Sequence, residues 1–489
     1  MTINNSYIIL PFNFERFQHD LVLLVNIAGE HLFLPDADFK NMVGHNLNRK
    51  SDTYLGLKAK HFITEKISDP AIDLLTIKYR TKKDFLSHFT SLHMLEVTRR
   101  CNQKCVYCQA SSQDPNLAHY DMDIETARKT VNMILMTPSK SIKIEFQGGE
   151  PLLNYEIIKY IIEYATKQTF LKGMKVEFVV CTNLTLATDE ILKYLSDNNV
   201  LVSTSLDGPQ EIHNSCRRYR DGTSTYDDVM RSLGKIKQYI EPSKISALMT
   251  TTRYSLDSPN GIVDEYVRNG LRSIFIRPLN PFGYMREVAG RIGYTASEFI
   301  NFYKALLEYV IKVNQQGYFI EESFASLLLT RILTPFSTGF VDLQFPAGTG
   351  ISGVMYGYDG NVYLSDEARM LANMGDIKFC IGNVHKNSYE EIFNNELVRD
   401  TIRGSCAESL PGCANCAFQM YCGIDPIRNY ATQNDTIGNR PTSDFCLINR
   451  EIIRYLFEII EQNDAYQMDV FWSWITGRSL SEIKIRSEC

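Results

Sequence analysis

No stretch of this chain reaches the roughly 18 consecutive apolar residues that a membrane-spanning helix needs, so no membrane partner is expected. Residues 1–14 lack a basic start followed by a long apolar run, so no secretory signal is expected there and the cytoplasm is the simplest compartment. Basic residues are the minority, 51 against 57 acidic, for a net charge of −6. Phosphate backbones select basic surfaces, so nucleic acid is not an expected partner. Neither an internal repeat nor a low-complexity tract interrupts the sequence. Apolar residues make up 44% and charged residues 22% of the 489, an ordinary balance for a soluble globular protein of two or three domains.

Cysteine is what the chain has in excess. A core of this size needs no disulfides, and twelve cysteines in a reducing compartment read as metal ligands. They are bunched: Cys101, Cys105 and Cys108 form one knot, and Cys406, Cys413, Cys416 and Cys422 another.

Residues 1–88 read as a small α+β module. Apolar runs at 21–26 and 31–34 flank Ala28-Gly29 as a hairpin, and a helix is expected from Asp36 as its N-cap. From Leu92 short apolar strands (92–98, 142–146, 176–181, 201–206, 245–251, 273–276) alternate with helical patterns near 123–136, 154–167, 188–197, 224–240 and 259–269. That rhythm predicts an α/β fold with a parallel sheet and right-handed crossovers, a partial (β/α)6 barrel over 89–290 whose chemistry sits at the C-terminal strand ends. After Pro278 the rhythm stops. A helical connection (291–340) follows, then a Gly-, Cys- and turn-rich region (341–450) that metal would order, then a C-terminal helix and tail (451–489).

The first knot has spacing x3 then x2, directly after the first strand. Three thiolates on one tight loop can hold three irons of a four-iron cube and leave the fourth open to chelate a substrate. A structural zinc loop is the alternative. Zinc wants a fourth close ligand, for which His119 is the nearest candidate.

Cys101-x3-Cys105-x2-Cys108, with Tyr107 before the last cysteine, resembles the radical S-adenosylmethionine superfamily. The resemblance implies a [4Fe–4S] cluster whose open iron binds the amino and carboxylate groups of S-adenosylmethionine, and a 5′-deoxyadenosyl radical that abstracts hydrogen from a substrate. It implies an external electron donor such as flavodoxin or ferredoxin. Gly148-Gly149-Glu150-Pro151 matches the segment that holds the methionine amino group, glycines allowing close backbone approach and Glu150 complementing an ammonium. Asn183 and Ser205 fall in segments that line the cofactor. Arg217 falls where an arginine pairs with the methionine carboxylate, a task that suits a guanidinium. Each could instead be a cap, a turn or a surface charge.

Cys413-x2-Cys416-x5-Cys422, followed by Cys446, supplies four thiolates, enough to close an auxiliary [4Fe–4S] cluster; a zinc ribbon is the alternative. The order resembles the SPASM domain of radical peptide maturases. Ser365 and Pro426 stand where that family carries cysteines of a further auxiliary cluster, which puts the further cluster in doubt; Cys380 and Cys406 are spare. Asp366 lies where sulfatase-maturing relatives place a catalytic base, and as a residue it could equally be a helix cap.

Strings such as Leu92-His93-Met94, Tyr107-Cys108-Gln109-Ala110-Ser111, Ser365-Asp366-Glu367-Ala368-Arg369-Met370 and Pro411-Gly412-Cys413 resemble maturases of the His-Xaa-Ser and cyclophane type. The resemblance implies a ribosomal precursor peptide as partner and a side-chain crosslink as product, with residues 1–88 recognising its leader by strand addition. Oxidation of a residue in a protein partner, as sulfatase maturases perform, and a non-enzymatic Fe–S carrier are the other readings.

Overall fold

The computed structural model describes residues 7–18, 20–66 and 70–487. Its strands are β1 (Ile8–Ile9), β2 (Phe12–Arg16), β3 (Leu21–Asn26), β4 (His31–Pro35), β5 (Ile63–Thr64), β6 (Leu92–Thr98), β7 (Ser141–Gly148), β8 (Lys175–Cys181), β9 (Leu201–Ser205), β10 (Ile245–Thr250), β11 (Ser273–Arg277), β12 (Glu321–Glu322), β13 (Gly353–Tyr356), β14 (Asn361–Tyr363) and β15 (Cys380–Asn383).

Six parallel strands, β6 to β11, run in sequence order as an open sheet with helices between them. The strands alternate with period two, but the apolar set faces the helices. Leu95 and Val97, Ile142, Ile144 and Phe146, Val202, and Ala247 and Met249 are buried there. The opposite set, which includes Lys143, Glu145, Gln147, Cys181, Ser203 and Ser205, lines a cavity along the inner face. The helices begin where side chains can cap them: Asp123 accepts from the Thr126 amide, Thr188 from that of Ile191, and Thr295 with Glu298 forms a capping box.

The sheet does not stop at residue 278. β12 pairs parallel to β11 at one edge, and β13 pairs parallel to β6 at the other, continuing antiparallel into β14 and β15. Strands of two to four residues carry too little period to stand out in sequence. The C-terminal part differs likewise. The expected helix begins at Asp444 rather than beyond Cys446, and two further helices, Ala465–Thr476 and Leu480–Ser487, occupy the expected tail; Phe471 and Trp474 of the first are buried.

In the N-terminal module β2, β3 and β4 form an antiparallel sheet, with Gly29 at φ +76° in the turn between the last two strands. It has its own small core, including Val22, Leu24, Met42, Leu57 and Phe62. Asp36 does not cap its helix. It is the first helical residue, and its carboxylate pairs with Arg16 and Lys40, each at 2.5 Å. The module sits against the second cysteine segment. Asn13 donates to the carbonyls of Ala414 and Cys416 at 3.1 Å, Tyr421 donates to that of Gly29 at 2.9 Å, and Glu15 pairs with Arg454 at 2.8 Å.

Candidate functional site

The first cysteine loop leaves the C-terminal end of β6 and is bolted down by backbone. The amides of Cys101, Lys104 and Val106 donate to the carbonyls of Gln113, Arg218 and Cys216, and the Arg220 guanidinium bonds the carbonyls of Cys101 and Gln113. Gly148 and Gly149 pass so close that a Cβ would lie 1.9 Å from the Thr98 oxygen and 2.3 Å from that of Arg100. These glycines therefore let two stretches of chain meet, and the amides of Gly149 and Glu150 bond the Thr98 and Arg100 carbonyls at 2.9 and 2.7 Å. Cys101, Cys105 and Cys108 all line the cavity, whose volume is about 1460 Å³. Burial pushes the Cys105 thiol up to about 12, against the pull of the Arg217 charge.

Tyr107, Gly148, Gly149, Asn183, Ser205 and Arg217 line the same cavity. Asn183 donates to Asn102 at 2.9 Å, and its amide nitrogen comes within 4.0 Å of the Cys101 sulfur. Arg217 stacks 5.3 Å over the Tyr107 ring and bonds Asp207 at 3.1 Å; the Tyr107 hydroxyl donates to the same Asp207 oxygen. Asp207, fully buried, thus fixes both the aromatic and the arginine.

Glu150 carries a structural task as well as the expected one. Its side chain is fully buried, accepting from the Thr182 hydroxyl at 2.6 Å, the Asn183 amide at 2.7 Å and the Leu152 amide at 3.0 Å. Its oxygens pin the end of β7 to the end of β8. Burial raises its pKa to about 7.

Asp366 lines the cavity beyond β13. Ser365, not Asp366, caps the helix Asp366–Asn373, accepting from the Ala368 amide. Asp366 is paired with the buried Arg369 at 2.5 Å, which also bonds Glu96 at 2.7 Å. Its neighbour Glu367 escaped the sequence reading. It too lines the cavity and accepts from Ser365 at 2.9 Å. Burial, reinforced by Asp425, Asp342 and Asp366, lifts its pKa above the usual carboxylate range. A carboxyl raised in this way suits proton transfer. Pro426, where a further ligand was in question, opens the helix Pro426–Gln433 behind the Asp425 cap.

Cys413, Cys416, Cys422 and Cys446 surround a separate void of about 50 Å³, lined also by Arg440 and Phe445. Arg440 donates to the Cys413 sulfur at 3.0 Å. Cys380 and Cys406 lie outside this void; their thiols turn to the carbonyls of Gly382 and Ile402.

Each cysteine set faces open space, the first the large cavity and the second its own void. Among the described residues no three His, Cys, Asp or Glu side chains converge as ligands of a single ion. Beside each set a buried donor has no partner: Gln103 Nε2 within the first loop and Arg440 Nη2 at the second. Buried donors are seldom left without an acceptor, and cluster sulfurs would supply one.

Residues 95–276 match the family model described as the Radical SAM superfamily. An uncharacterized protein of Methanocaldococcus jannaschii is 30% identical over 188 residues, 38% of this chain and 62% of that protein, so the match spans less than two thirds of the relative. A cysteine-type anaerobic sulfatase-maturating enzyme of Clostridium perfringens is 26% identical over 377 residues, 75% of this chain and 96% of that enzyme. Among solved structures, anSMEcpe with bound AdoMet superposes with a TM-score of 0.63 at 22% identity, covering 76% of this chain and 98% of that one. Streptococcus suis SuiB bound to precursor peptide SuiA gives 0.51 at 13% identity, covering 88% and 98%. Both share the fold. Residues 95–276 match the radical SAM superfamily, a likeness that implies S-adenosylmethionine and a [4Fe–4S] cluster, and the chain is an enzyme that carries this matching region.

Proposed function

We propose that the enzyme modifies a ribosomally synthesised precursor peptide, joining side chains or otherwise functionalising an unactivated C–H bond. The observation that carries this is the single cavity connecting Cys101, Cys105 and Cys108 to Asp366 and Glu367, large enough for a peptide segment. In this reading the three cysteines hold the radical SAM cluster, and Cys413, Cys416, Cys422 and Cys446 hold one auxiliary [4Fe–4S] cluster. When bound, the reduced cluster and S-adenosylmethionine supply a radical that abstracts hydrogen. The chain's own residues do the rest. Arg217, held by Asp207, orients a carboxylate; Tyr107 and Asn183 shape the cofactor wall; Asp366 and Glu367 take the proton that bond formation releases. An external flavodoxin or ferredoxin supplies electrons. Residues 1–88 form a leader-recognition module, 89–290 the barrel, 291–340 a connection, 341–450 the auxiliary domain and 451–489 a C-terminal appendage, all working in the cytoplasm. The strings around Cys108 and Asp366 favour the His-Xaa-Ser and cyclophane subgroup.

Sulfatase-type oxidation of a residue in a protein partner is the second reading, favoured by the match to nearly the whole Clostridium perfringens enzyme. One experiment separates them. Anaerobically reconstituted protein, expected to hold about eight irons in two four-iron clusters, is given dithionite, S-adenosylmethionine and either a short peptide encoded beside its gene or a sulfatase-motif peptide. The expected outcome is 5′-deoxyadenosine release, abolished in Cys105→Ala, with a mass change in the first peptide. A change confined to the sulfatase peptide would establish the second reading. About twelve irons would mean a third cluster.

A further inference from the structure

We propose that Arg440 sets the reduction potential of the auxiliary cluster, by holding a positive charge and two N–H donors against it. The inference rests on the auxiliary cluster proposed above and adds a residue that its cysteine pattern does not contain.

Arg440 opens a short 3-10 turn, Arg440–Thr442, immediately before the helix that carries Cys446. Its stem lies across the turn that precedes Cys413. Gly412, at φ +76°, makes this possible, since a Cβ there would stand 3.1 Å from the Arg440 Cγ. The guanidinium then enters the void from one side. Nε donates to the Cys413 sulfur at 3.0 Å, and Nη2 is buried with no partner of any kind. Among the described residues no carboxylate forms an ion pair with Arg440. Arg440 as a whole is half-buried, but a buried N–H without an acceptor is costly to keep, and Nη2 stays unsatisfied until an acceptor sits in front of it. A four-iron cluster held by four thiolates is such a group.

Other charges nearby do not do this work. Arg450 lines the same void, but its side chain is half exposed and lies 3.6 Å from Glu451. Arg331 is buried close to Cys422, yet it donates to the Met420 carbonyl and does not line the void. Adding an electron makes the cluster more negative. A fixed cation and hydrogen bonds to its sulfurs therefore favour the reduced state, two of the levers that spread iron–sulfur potentials widely.

The test needs the auxiliary cluster alone, so it is made in the full chain carrying Cys101→Ala, Cys105→Ala and Cys108→Ala. That protein is reconstituted, assayed for iron and titrated potentiometrically by EPR. The parent should hold about four irons. With Arg440→Leu the iron content should persist and the midpoint should fall by at least a tenfold change in the oxidised-to-reduced ratio, about 59 mV for a one-electron couple. Arg440→Lys should recover most of that shift. If Arg440→Leu fails to retain iron, Arg440→Gln, which keeps donors without the charge, replaces it with the same expectation. A parent midpoint in a fully loaded neutral variant overturns the inference while leaving the cluster in place. A parent without iron overturns the auxiliary-cluster reading, and this inference with it.

Discussion

Replacing Glu150 with alanine should unsettle the protein before any cofactor is added. The carboxylate is the acceptor for the amides of Leu152 and Asn183 and for the Thr182 hydroxyl. A hydroxyl can turn to another acceptor; the two amides cannot. Each stranded buried donor costs about 1–3 kcal/mol, so the two amides together put the loss at roughly 2–6 kcal/mol. A domain is stable by only about 5–15 kcal/mol, so the barrel's unfolding midpoint should drop far enough to measure. Charge adds a second signature. Burial lifts the folded pKa to about 7 from the ordinary glutamate value of 4.5, so the folded state binds the proton more tightly than the unfolded chain. The stability this contributes is complete below about pH 4.5 and is lost as pH rises through about 7, an amount of about 3 kcal/mol at 1.36 kcal/mol per unit. Glu150→Gln should keep the volume and lose the slope. The assay is urea unfolding of iron-free protein, followed by circular dichroism at several pH values. Wild-type midpoints in Glu150→Ala, together with a tenfold or larger loss of S-adenosylmethionine affinity, would refute the clamp and return Glu150 to direct contact with the ligand.

Two further outcomes are expected. Burial and the neighbouring Asp425, Asp342 and Asp366 hold Glu367 protonated above the usual carboxylate range, and it must be ionised to accept a proton, so peptide modification should rise with pH. Glu367→Gln should flatten that limb and leave 5′-deoxyadenosine release intact; an unchanged profile would exclude it as the titrating group. At the N-terminal module, Phe14→Glu places a charge on β2, which pairs only with β3 among the described residues. If a leader adds there as a strand, this change should weaken peptide modification at least tenfold while sparing uncoupled 5′-deoxyadenosine release; equal modification would make the module a packing appendage. Deleting residues 1–88 is a poorer test, because it would also strip Asn13 from the Cys416 loop and Gly29 from Tyr421.

What could be read in the sequence was local. The cysteine loop, the adjoining Gly148-Gly149 and the alternation of strands with helices are each contiguous, and spacing alone exposes them. What escaped depends on residues that only the fold brings together. Glu367 is perturbed by Asp342 and Asp425 from other segments, and nothing beside it in the chain announces that. Asp207 could be quoted as part of a segment, but its grip on both Tyr107 and Arg217 is a tertiary fact. The clamp at Glu150 is hidden for the same reason. A glutamate after two glycines reads as a ligand, and its bonds to Thr182 and Asn183 come from the end of another strand. β13 was missed because four residues are too few to show a period.

The helix Asp366–Asn373 works as a caliper. Asp366 begins it, and at its other end Asn373 donates to the carbonyl of Ala110, two residues past Cys108. Eight residues of α-helix measure about 12 Å and do not stretch. One rigid strut therefore fixes the interval between the acidic wall and the cysteine loop. An inserted residue would rotate one jaw by about 100° relative to the other, so the gap cannot be widened in small steps. A bulkier substrate gains no room along this axis. Space for it has to be made elsewhere, for instance where Thr338, Gly339 and Phe340 line the cavity as loop.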